Sequence, residues 1–296
     1  MRMEPRAGQS GRRRGGGLGG GLRWVVLLGF LVYGGCYYLS NQTQDPYTGE
    51  TVLIDSSLDP EQMRALGLQA YQEILAQEPP LPRSDPAALQ VQQIAARLID
   101  QVDEVTAALS AEHGMDAPTH WEAFEWDVSV IPSEQANAFC LPGGKMAVYT
   151  GLFPVAQSED ALAVVMGHEI AHALLRHGEQ RMSQQKLAQI GQMAGAASGM
   201  DPQHQQMVMA AFGYGYLLPY ARTHETQADE VGLMLAAAAC YDPTEAIGLW
   251  ERMSSASGGE APPEFASTHP NPGTRIQTLQ GLMPKALEYR EKFCRQ

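Results

Sequence analysis

The chain has 296 residues, of which 20 are basic and 33 acidic, and its formal net charge at pH 7 is −13. The first 23 residues hold six Arg and one acidic residue, so the rest of the chain, with 14 basic and 32 acidic residues, has a net charge of −18. A body this acidic excludes nucleic acid as a partner. No repeat with a period of 20 to 50 residues is present, and about 250 residues suffice for one domain with a sizeable core.

The N-terminal segment predicts a membrane-associated, exported protein. Residues 1–23 form a basic, Gly-rich cytoplasmic leader, and residues 24–39 form the apolar run WVVLLGFLVYGGCYYL. Basic residues before such a run direct the following chain across the membrane. A spanning helix usually needs about twenty residues, so a retained anchor, a cleaved signal peptide and lipid attachment at Cys36 all stay open. Residues 40–296 are then expected to form one domain.

The segment before the central motif predicts two helices and then two strands. Helices are predicted over residues 59–77 and 87–109, and strands over residues 121–130 and 145–149. The first helix has a clear start, because Asp59 is a favourable N-cap and Pro60 is tolerated at the first helical position. Residues 121–130 alternate apolar and polar side chains, which is typical of a half-buried strand.

The motif HEIAH at residues 168–172 lies in an apolar stretch, residues 161–175, that predicts a buried helix. Residues four apart share a helix face, so His168 and His172 are expected to hold one ion. Glu169 is placed to reach a metal-bound water rather than the metal, as in zinc peptidases with an HExxH motif. A chance match is the alternative, but buried polar side chains need partners, and a metal supplies one to all three.

Zinc needs a third protein ligand, and Glu225 is the best candidate in the following chain. Asp229 lies four residues later on the same face of a second predicted helix. We expect Glu225 to bind the metal and Asp229 to accept the N–H of a ligand imidazole. The alternative is that both are solvated acids in the first turn of a helix.

The remaining elements are helical. Helices are predicted over residues 181–220, 243–253 and 274–291, with a flexible loop at residues 254–263. The Met-rich stripe of the first is interpreted as packing, with a mobile lid or a membrane-facing flap as the alternative. Cys240 and Cys294 are equally compatible with a disulfide and with two free thiols.

Several segments together resemble one known family. They are HEIAH followed by Arg176-His177-Gly178, ETQAD at residues 225–229, residues 137–152, THPNPGTRI at residues 268–276 and PYTG at residues 46–49. In these segments the chain resembles the HtpX-like, CAAX-protease-like membrane-associated gluzincins, metallopeptidase family M forty-eight. That family includes mitochondrial inner-membrane and bacterial periplasmic quality-control peptidases. The resemblance extends over residues 45–296, and the bacterial periplasmic type is the one we expect.

The elements predict an α+β fold, and the resemblance implies a mostly helical zincin-type single domain with a small β-sheet edge next to the HExxH helix. We expect one Zn²⁺ per chain, held by His168, His172 and Glu225. Glu169 would take a proton from the zinc-bound water as this water attacks a peptide carbonyl, and would then pass the proton to the leaving amine.

Three interpretations of His269 stay open. It lies on a Pro-bracketed loop and is a candidate donor to the oxyanion. The resemblance also implies that it can approach the metal and keep the enzyme latent, and the third interpretation is a cap on the helix that begins near residue 274. Arg275 is assigned to oxyanion or structural support. His177 and His224 are interpreted as packing residues, with a hydrogen bond to a metal ligand as the alternative.

The predicted function is a zinc-dependent endopeptidase that cleaves misfolded or unassembled envelope proteins. Its partners are protein or peptide substrates and, through the N-terminal segment, a bacterial membrane, with the catalytic domain in the periplasm. The substrate is expected to add in extended form beside a strand edge formed by Gly143, Gly144, Lys145, Met146 and Ala147. Two alternative functions stay open. One is a metal-dependent hydrolase of a substrate other than a peptide, since the same zinc chemistry serves other carbonyls. The other is a metal-binding, chaperone-like envelope protein with a latent site, although a pure binder has no need of Glu169.

Overall fold

The computed structural model describes residues 20–256, 269 and 272–294. Helices predominate there and two small sheets accompany them, so the predicted α+β fold is confirmed. The helices are α1 (Gly20–Ser40), α2 (Pro60–Gln77), α3 (Pro86–Ile99), α4 (Val102–Glu112), α5 (Phe153–Ala156), α6 (Glu159–Leu174), α7 (His177–Ser198), α8 (Pro202–Phe212), α9 (Leu218–Ala238), α10 (Glu245–Ala256) and α11 (Pro272–Phe293). The strands are β1 (Gln42–Gln44), β2 (Thr51–Leu53), β3 (Asp127–Ile131), β4 (Ala138–Leu141) and β5 (Lys145–Tyr149). Most of the predicted leader (residues 1–19), residues 257–263 of the predicted loop, and residues 270–271 beside His269 lie outside the described residues.

The helices before the sheet form as predicted with one exception. The side chain of Asp59 accepts a hydrogen bond from the first turn of α2, as expected of an N-cap. The predicted helix 87–109 is wrong as a single element, because it is divided at residues 100–101 into α3 and α4. Asp103 and Glu104 lie in the first turn of α4, where the helix dipole favours acidic side chains and supports a new start.

The predicted strand 121–130 is only partly correct. Its first residues form a short 3₁₀ turn, His120–Ala123, and β3 begins at Asp127. The rings of Phe124 and Trp126 pack edge to face with their centroids 5.3 Å apart. The alternation of side chains in this segment therefore reflects aromatic packing around a turn as well as the strand that follows.

β5 is the central strand of a three-stranded sheet, with the strand order β3-β5-β4. It pairs in parallel with β3 and antiparallel with β4, and all five of its residues are buried. The prediction that Lys145, Met146 and Ala147 form an edge for a peptide is therefore wrong, because both sides of this strand are already paired. The sheet edge next to the HExxH helix is β4, which packs against α6.

The long apolar helix α6 forms the centre of the core, where residues 161–174 are all buried. It crosses α9 at a pair of glycines. A Cβ atom on Gly167 would lie 2.7 Å from the carbonyl oxygen of Gly232, and a Cβ atom on Gly232 would lie 2.6 Å from the backbone nitrogen of His168. Since no side chain fits there, the two backbones meet directly, and the crossing places α9 beside the HExxH face of α6.

The predicted helix 181–220 is divided into α7 and α8 and then continues through a π-helical turn, Gly213–Leu217, into α9. Gly199, at a left-handed φ of 72°, ends α7, and Asp201 caps α8. The N-terminal helix α1 packs along α7, with Tyr37 and Ile190 in a shared apolar cluster. Within the described residues, no helix has both the length and the apolar character needed to cross a membrane.

A disulfide joins Cys240, just after α9, to Cys294, at the end of α11. Of the two alternatives left open by the sequence, the structure has the pair rather than two free thiols. The bond ties the C-terminal helix, which carries Arg275, to the helix that carries Glu225.

Candidate active site

Two histidines on the buried face of α6 form the centre of the site. His168 and His172 lie one helical turn apart and are 3% and 7% exposed. Their ring centroids are 4.6 Å apart, and their Nε2 atoms are 3.0 Å apart. The spacing of four residues in the motif therefore brings the two imidazoles to one point, as predicted.

Glu225 reaches the same point from α9. Its Oε2 atom lies 3.4 Å from Nε2 of His168, and its Oε1 atom lies 3.6 Å from Nε2 of His172. His269 joins them from the segment before α11, with its Nδ1 atom 2.7 Å from Oε2 of Glu225 and 3.3 Å from Nε2 of His168. One ligand atom from each of these four residues lies within 4.8 Å of the others.

The chemistry of this cluster fits zinc. Imidazole nitrogens and carboxylate oxygens are the ligands that zinc takes in peptidases with three protein ligands and one open position. In this cluster such atoms from four residues converge on one largely buried space. Atoms of this kind repel one another in a low-dielectric interior unless a cation lies between them. His168, His172 and Glu225 would hold the ion, and His269 lies at the position of a fourth ligand.

The electrostatics of the cluster favour positive charge at its centre. Burial and the Arg275 guanidinium oppose a charge on His168, but Asp229 and Glu225 outweigh them and raise its pKa to about 9. Burial, reinforced by His168, lowers the pKa of His172 well below its ordinary value. Burial also opposes the charge on Glu225, yet its hydrogen bonds to His168 and to a second imidazole hold its pKa well below the usual range.

Glu169 lies beside the cluster without entering it. It is 3% exposed, and its Oε1 atom is 3.5 Å from Nε2 of His269. Among the described residues, no group forms a hydrogen bond to this Oε1 atom. Burial raises the pKa of Glu169, against the opposing effect of the nearby imidazoles. A buried carboxylate with a raised pKa and a free oxygen is suited to take up a proton.

Asp229 supports His168 from the side opposite the metal position. Its Oδ1 atom lies 3.0 Å from Nδ1 of His168, which is the contact that the spacing on the second helix predicted. Arg275 donates to both acids, from Nε to Oδ2 of Asp229 at 2.8 Å and from Nη1 to Oε2 of Glu225 at 3.0 Å. Its guanidinium also lies 3.8 Å above the ring of Trp250. Arg275 is therefore a structural support for the acidic ligand and its neighbour.

His172 has a supporting group of its own. His177 contacts His172, with their Nδ1 atoms 2.7 Å apart, and its Nε2 atom lies 3.1 Å from Oε1 of Gln227. His224 stacks on His177, with the centroids 4.0 Å apart. The interpretation of His177 as a packing residue is therefore incomplete, and the alternative, a contact with a metal ligand, is what the structure has. Gln227 lies two residues after Glu225, and no spacing rule singled it out.

A cavity of about 160 Å³ opens beside His172. Its wall includes Cys140 and Leu141 of β4, Gly143 of the following turn and Met63 of α2. Gly143 thus lies at the site, although the strand that follows it is central, and Gly144 faces Trp126 instead. The cavity joins the strand edge to the cluster.

Comparison with known proteins identifies the family of the chain. The profile of Peptidase family M48 matches residues 95–283, which is more than half of the chain and includes every residue of the cluster. The chain belongs to Peptidase family M48. It is a zinc metallopeptidase, and its relatives carry the name metalloendopeptidase.

Individual relatives of this M48 peptidase match over most of its length. "Mitochondrial metalloendopeptidase OMA1" of Schizosaccharomyces pombe is 34% identical over 275 residues, which cover 91% of this chain and 75% of that protein. "Metalloendopeptidase OMA1, mitochondrial" of Homo sapiens is 29% identical over 285 residues, which cover 91% of this chain and 52% of that protein. "Beta-barrel assembly-enhancing protease" of Escherichia coli is 28% identical over 177 residues, which cover 55% of this chain and 36% of that protein.

These matches correct two predictions. The expected subgroup, the bacterial periplasmic quality-control type, is wrong, because the relatives that match over nine-tenths of the chain are mitochondrial OMA1 peptidases. The expected location in a bacterial cell envelope is wrong for the same reason. The family resemblance is confirmed. The basic leader and the apolar run within residues 1–39 are compatible with export across a bacterial membrane and with import into mitochondria, so they do not indicate the location.

Proposed function

We propose that this M48 peptidase is an endopeptidase for extended, unfolded segments of other proteins. The observation that carries the proposal is the position of the edge strand β4 beside the metal-ligand cluster, with a cavity between them. Most backbone groups of a folded protein are already hydrogen-bonded within it, whereas those of an unfolded segment are free to pair with a strand edge.

The edge of β4 offers backbone groups for such pairing. The backbone N–H of Tyr149 donates to the carbonyl of Asn137, so this pair is hydrogen-bonded across β4 and β5. Hydrogen-bonded and non-hydrogen-bonded pairs alternate in an antiparallel ladder. The N–H and C=O of Cys140, three residues further along, therefore point away from β5. A peptide paired there would lie across the site, and one of its side chains would enter the cavity beside His172.

The chain's own residues then divide the chemistry between them. When bound, zinc supplies a Lewis acid that activates water and polarises the peptide carbonyl. Glu169 Oε1, which has no other hydrogen bond among the described groups, accepts the proton of the attacking water and delivers it to the nitrogen of the leaving amine. Arg275 holds Glu225 and Asp229 in place through the hydrogen bonds described above.

His269 supports a proposal of latency. Its Nδ1 atom lies within the ligand cluster, and its Nε2 atom faces Oε1 of Glu169 at 3.5 Å. In this position the imidazole occupies the space between the metal ligands and the general base, where water and substrate must meet. We therefore favour the latent interpretation over the oxyanion donor, and cleavage would require His269 to withdraw.

An apolar surface formed by α1, α7 and α8 supports membrane association. Exposed apolar side chains extend along α1 and continue onto α7, α8 and the π-helical turn, and they include Leu28, Leu31, Val32, Met193, Met207, Val208 and Tyr214. A groove between these helices is lined almost entirely by apolar atoms. Contiguous apolar surface of this kind marks a protein or membrane contact. The mitochondrial names of the relatives support a mitochondrial location, and the disulfide fits an oxidising compartment.

Substrate class is tested with the full chain and zinc on two forms of one substrate protein. The forms are disulfide-intact, folded lysozyme and reduced, alkylated, unfolded lysozyme. We expect cleavage of the unfolded form only, inhibition by a chelator, and no cleavage by Glu169→Gln. Equal cleavage of both forms would contradict the proposal. Tight binding of the unfolded form without cleavage would favour the chaperone-like alternative.

Membrane association is tested separately by flotation with phospholipid vesicles. We expect Leu31→Asp with Val208→Asp to abolish flotation, because both side chains are exposed on the apolar surface. Leu89→Asp is the matched control, since Leu89 is an exposed leucine on α3, away from that surface. Equal flotation of all three proteins would contradict the assignment of this surface.

A further inference from the structure

The metal ligand His172 has an unusual partner on its far side. Its Nδ1 atom lies 2.7 Å from Nδ1 of His177, and the side chain of His177 is fully buried. Arg176, at a left-handed φ of 55°, turns the chain between α6 and α7 so that His177 returns beneath the ring of His172. Only one of the two facing nitrogens can carry the hydrogen, and the choice decides whether Nε2 of His172 is free to bind a metal.

The side chains beyond His177, Gln227 and then Glu50, decide which of the two nitrogens carries the hydrogen. Gln227 contacts Oε2 of Glu50 through its Nε2 atom at 2.9 Å, and Oγ1 of Thr48 at 3.4 Å. A carboxylate only accepts hydrogen bonds, so the amide of Gln227 must direct its NH₂ group to Glu50 and its Oε1 atom to His177. The amide oxygen in turn only accepts. The Nε2 atom of His177, 3.1 Å away, therefore carries its hydrogen.

The same reasoning continues to the metal ligand. The ring of His177 is fully buried, and its two nitrogens contact an amide oxygen and a second imidazole rather than a carboxylate, so this ring is neutral, with one N–H, at Nε2, and a bare Nδ1. That Nδ1 accepts a hydrogen bond from Nδ1–H of His172. The remaining nitrogen of His172, Nε2, then has a free lone pair, and it is this atom that faces Glu225 and His168.

We infer that His177 and Gln227 are positioning residues that fix His172 in its metal-binding tautomer, with the direction of every hydrogen bond set by Glu50. These residues form one row of hydrogen bonds, from Glu50 through Gln227 and His177 to His172. Glu50 immediately precedes β2 and is the only exposed member of the row. β1 and β2 pair antiparallel and form an N-terminal hairpin. The row therefore connects a surface carboxylate on this hairpin to a buried metal ligand. The ring of His224 stacks on His177 at an interplanar angle of 18°, and Oε1 of Gln180 contacts Nε2 of His224 at 2.9 Å, which fixes the plane of the row.

The inference requires that a change of hydrogen-bond direction at Glu50, on the surface, changes zinc affinity. In Glu50→Lys a donor replaces the acceptor. The amide of Gln227 then turns its oxygen to the lysine and its NH₂ group to His177, which moves the hydrogen of His172 onto Nε2. Adding Gln227→Glu to Glu50→Lys restores the original direction, because the new carboxylate accepts from both the lysine and His177.

The test measures the zinc dissociation constant of the full chain by competition with a chromophoric chelator, which needs no activity. We expect Gln227→Leu to raise the Kd about 10-fold, the lower end of the usual effect of removing a group that supports a metal ligand. Glu50→Lys should raise it in the same direction, and the double variant Glu50→Lys with Gln227→Glu should return it to within about threefold of the original chain.

A matched control separates positioning from packing. Gln184→Leu removes a buried glutamine of α7 that is not one of the residues connecting Glu50 to His172, and it should leave the Kd within about threefold of the original. A Kd for Gln227→Leu equal to that of Gln184→Leu would overturn the inference. So would a double variant that binds zinc no more tightly than Glu50→Lys alone, and this comparison involves an exposed position that does not threaten folding.

Discussion

The two histidine ligands of this peptidase are supported in different ways. Nδ1 of His168 faces the carboxylate of Asp229, which is paired with Arg275 of the C-terminal helix. Nδ1 of His172 faces the neutral ring of His177, and that row of hydrogen bonds leads to the N-terminal hairpin. The charged support of His168 leads to the C-terminal helix, and the neutral support of His172 leads to the N-terminal hairpin.

This difference separates two properties of a metal ligand. A charged acceptor fixes the tautomer and also increases the basicity of the ring, whereas a neutral acceptor only fixes the tautomer. We therefore expect His168 to be the stronger ligand, and damage on the charged side to cost more zinc affinity than damage on the neutral side.

The largest effect is expected from Glu169→Gln, which touches neither support. Loss of the general base should reduce turnover by about 10²- to 10⁴-fold. Metal analysis of the purified variant should show one zinc per chain, because Glu169 lies outside the cluster. Loss of zinc in parallel with activity would show instead that Glu169 is a ligand.

A second test loosens the C-terminal helix, which carries Arg275 on the charged side of the site. The disulfide closes a sequence separation of 54 residues and holds the helix that carries Arg275. Cys240→Ser with Cys294→Ser should lower the free energy of unfolding by about 4 kcal/mol through the entropy of the unfolded chain. Urea denaturation measures the change, and Cys36→Ser, at an exposed free cysteine, is the control. An unchanged unfolding midpoint would show that the bond does not stabilise the fold.

The direct comparison of the two sides uses Asp229→Ala against Gln227→Leu. Asp229→Ala should weaken zinc binding by about 100-fold and Gln227→Leu by about 10-fold, the upper and lower ends of the usual range for such support. Competition with a chelator at one pH measures both. If the two variants lose equal affinity, the charge on Asp229 adds nothing to its role as an acceptor.

The smallest effect is expected from His269→Ala. If the site is open in about one molecule in ten, removing the blocking imidazole should raise basal cleavage about tenfold, visible also as self-cleavage. An oxyanion donor would have the opposite sign, a fall of about 10²- to 10³-fold. His204→Ala, at an exposed histidine on α8, is the control. Unchanged turnover would leave only the capping role for His269.

The sequence predicted the site residues that lie within one helical turn of each other. The spacing of four between His168 and His172, and between Glu225 and Asp229, defines helix faces, and each pair lies where such a face must place it. The contact of His177 with Gln227 joins residues 50 apart, and it depends on a left-handed turn at Arg176 that no sequence rule requires. The buried apolar helix was predictable, but its partner at the crossing was not.

The sheet shows the same limit of prediction from sequence patterns. The five buried residues of β5 form a strand as predicted, but period and composition do not tell a central strand from an edge strand. The break at residues 100–101 within the predicted helix 87–109 lies between two segments that each form good helices. Strand order and helix breaks are set by tertiary packing, which a single pattern does not contain.

The glycine crossing of α6 and α9 makes the size of the ligand cage a property of two backbones. Glu225 lies seven residues before Gly232, roughly 10 Å along its helix, and His168 directly follows Gly167. One added methyl group at either glycine forces the rigid helices apart, and the gap between carboxylate and imidazoles widens with them. The distance between the two helices is thus set by direct backbone contact at the crossing, and this contact keeps Glu225 within reach of the two imidazoles.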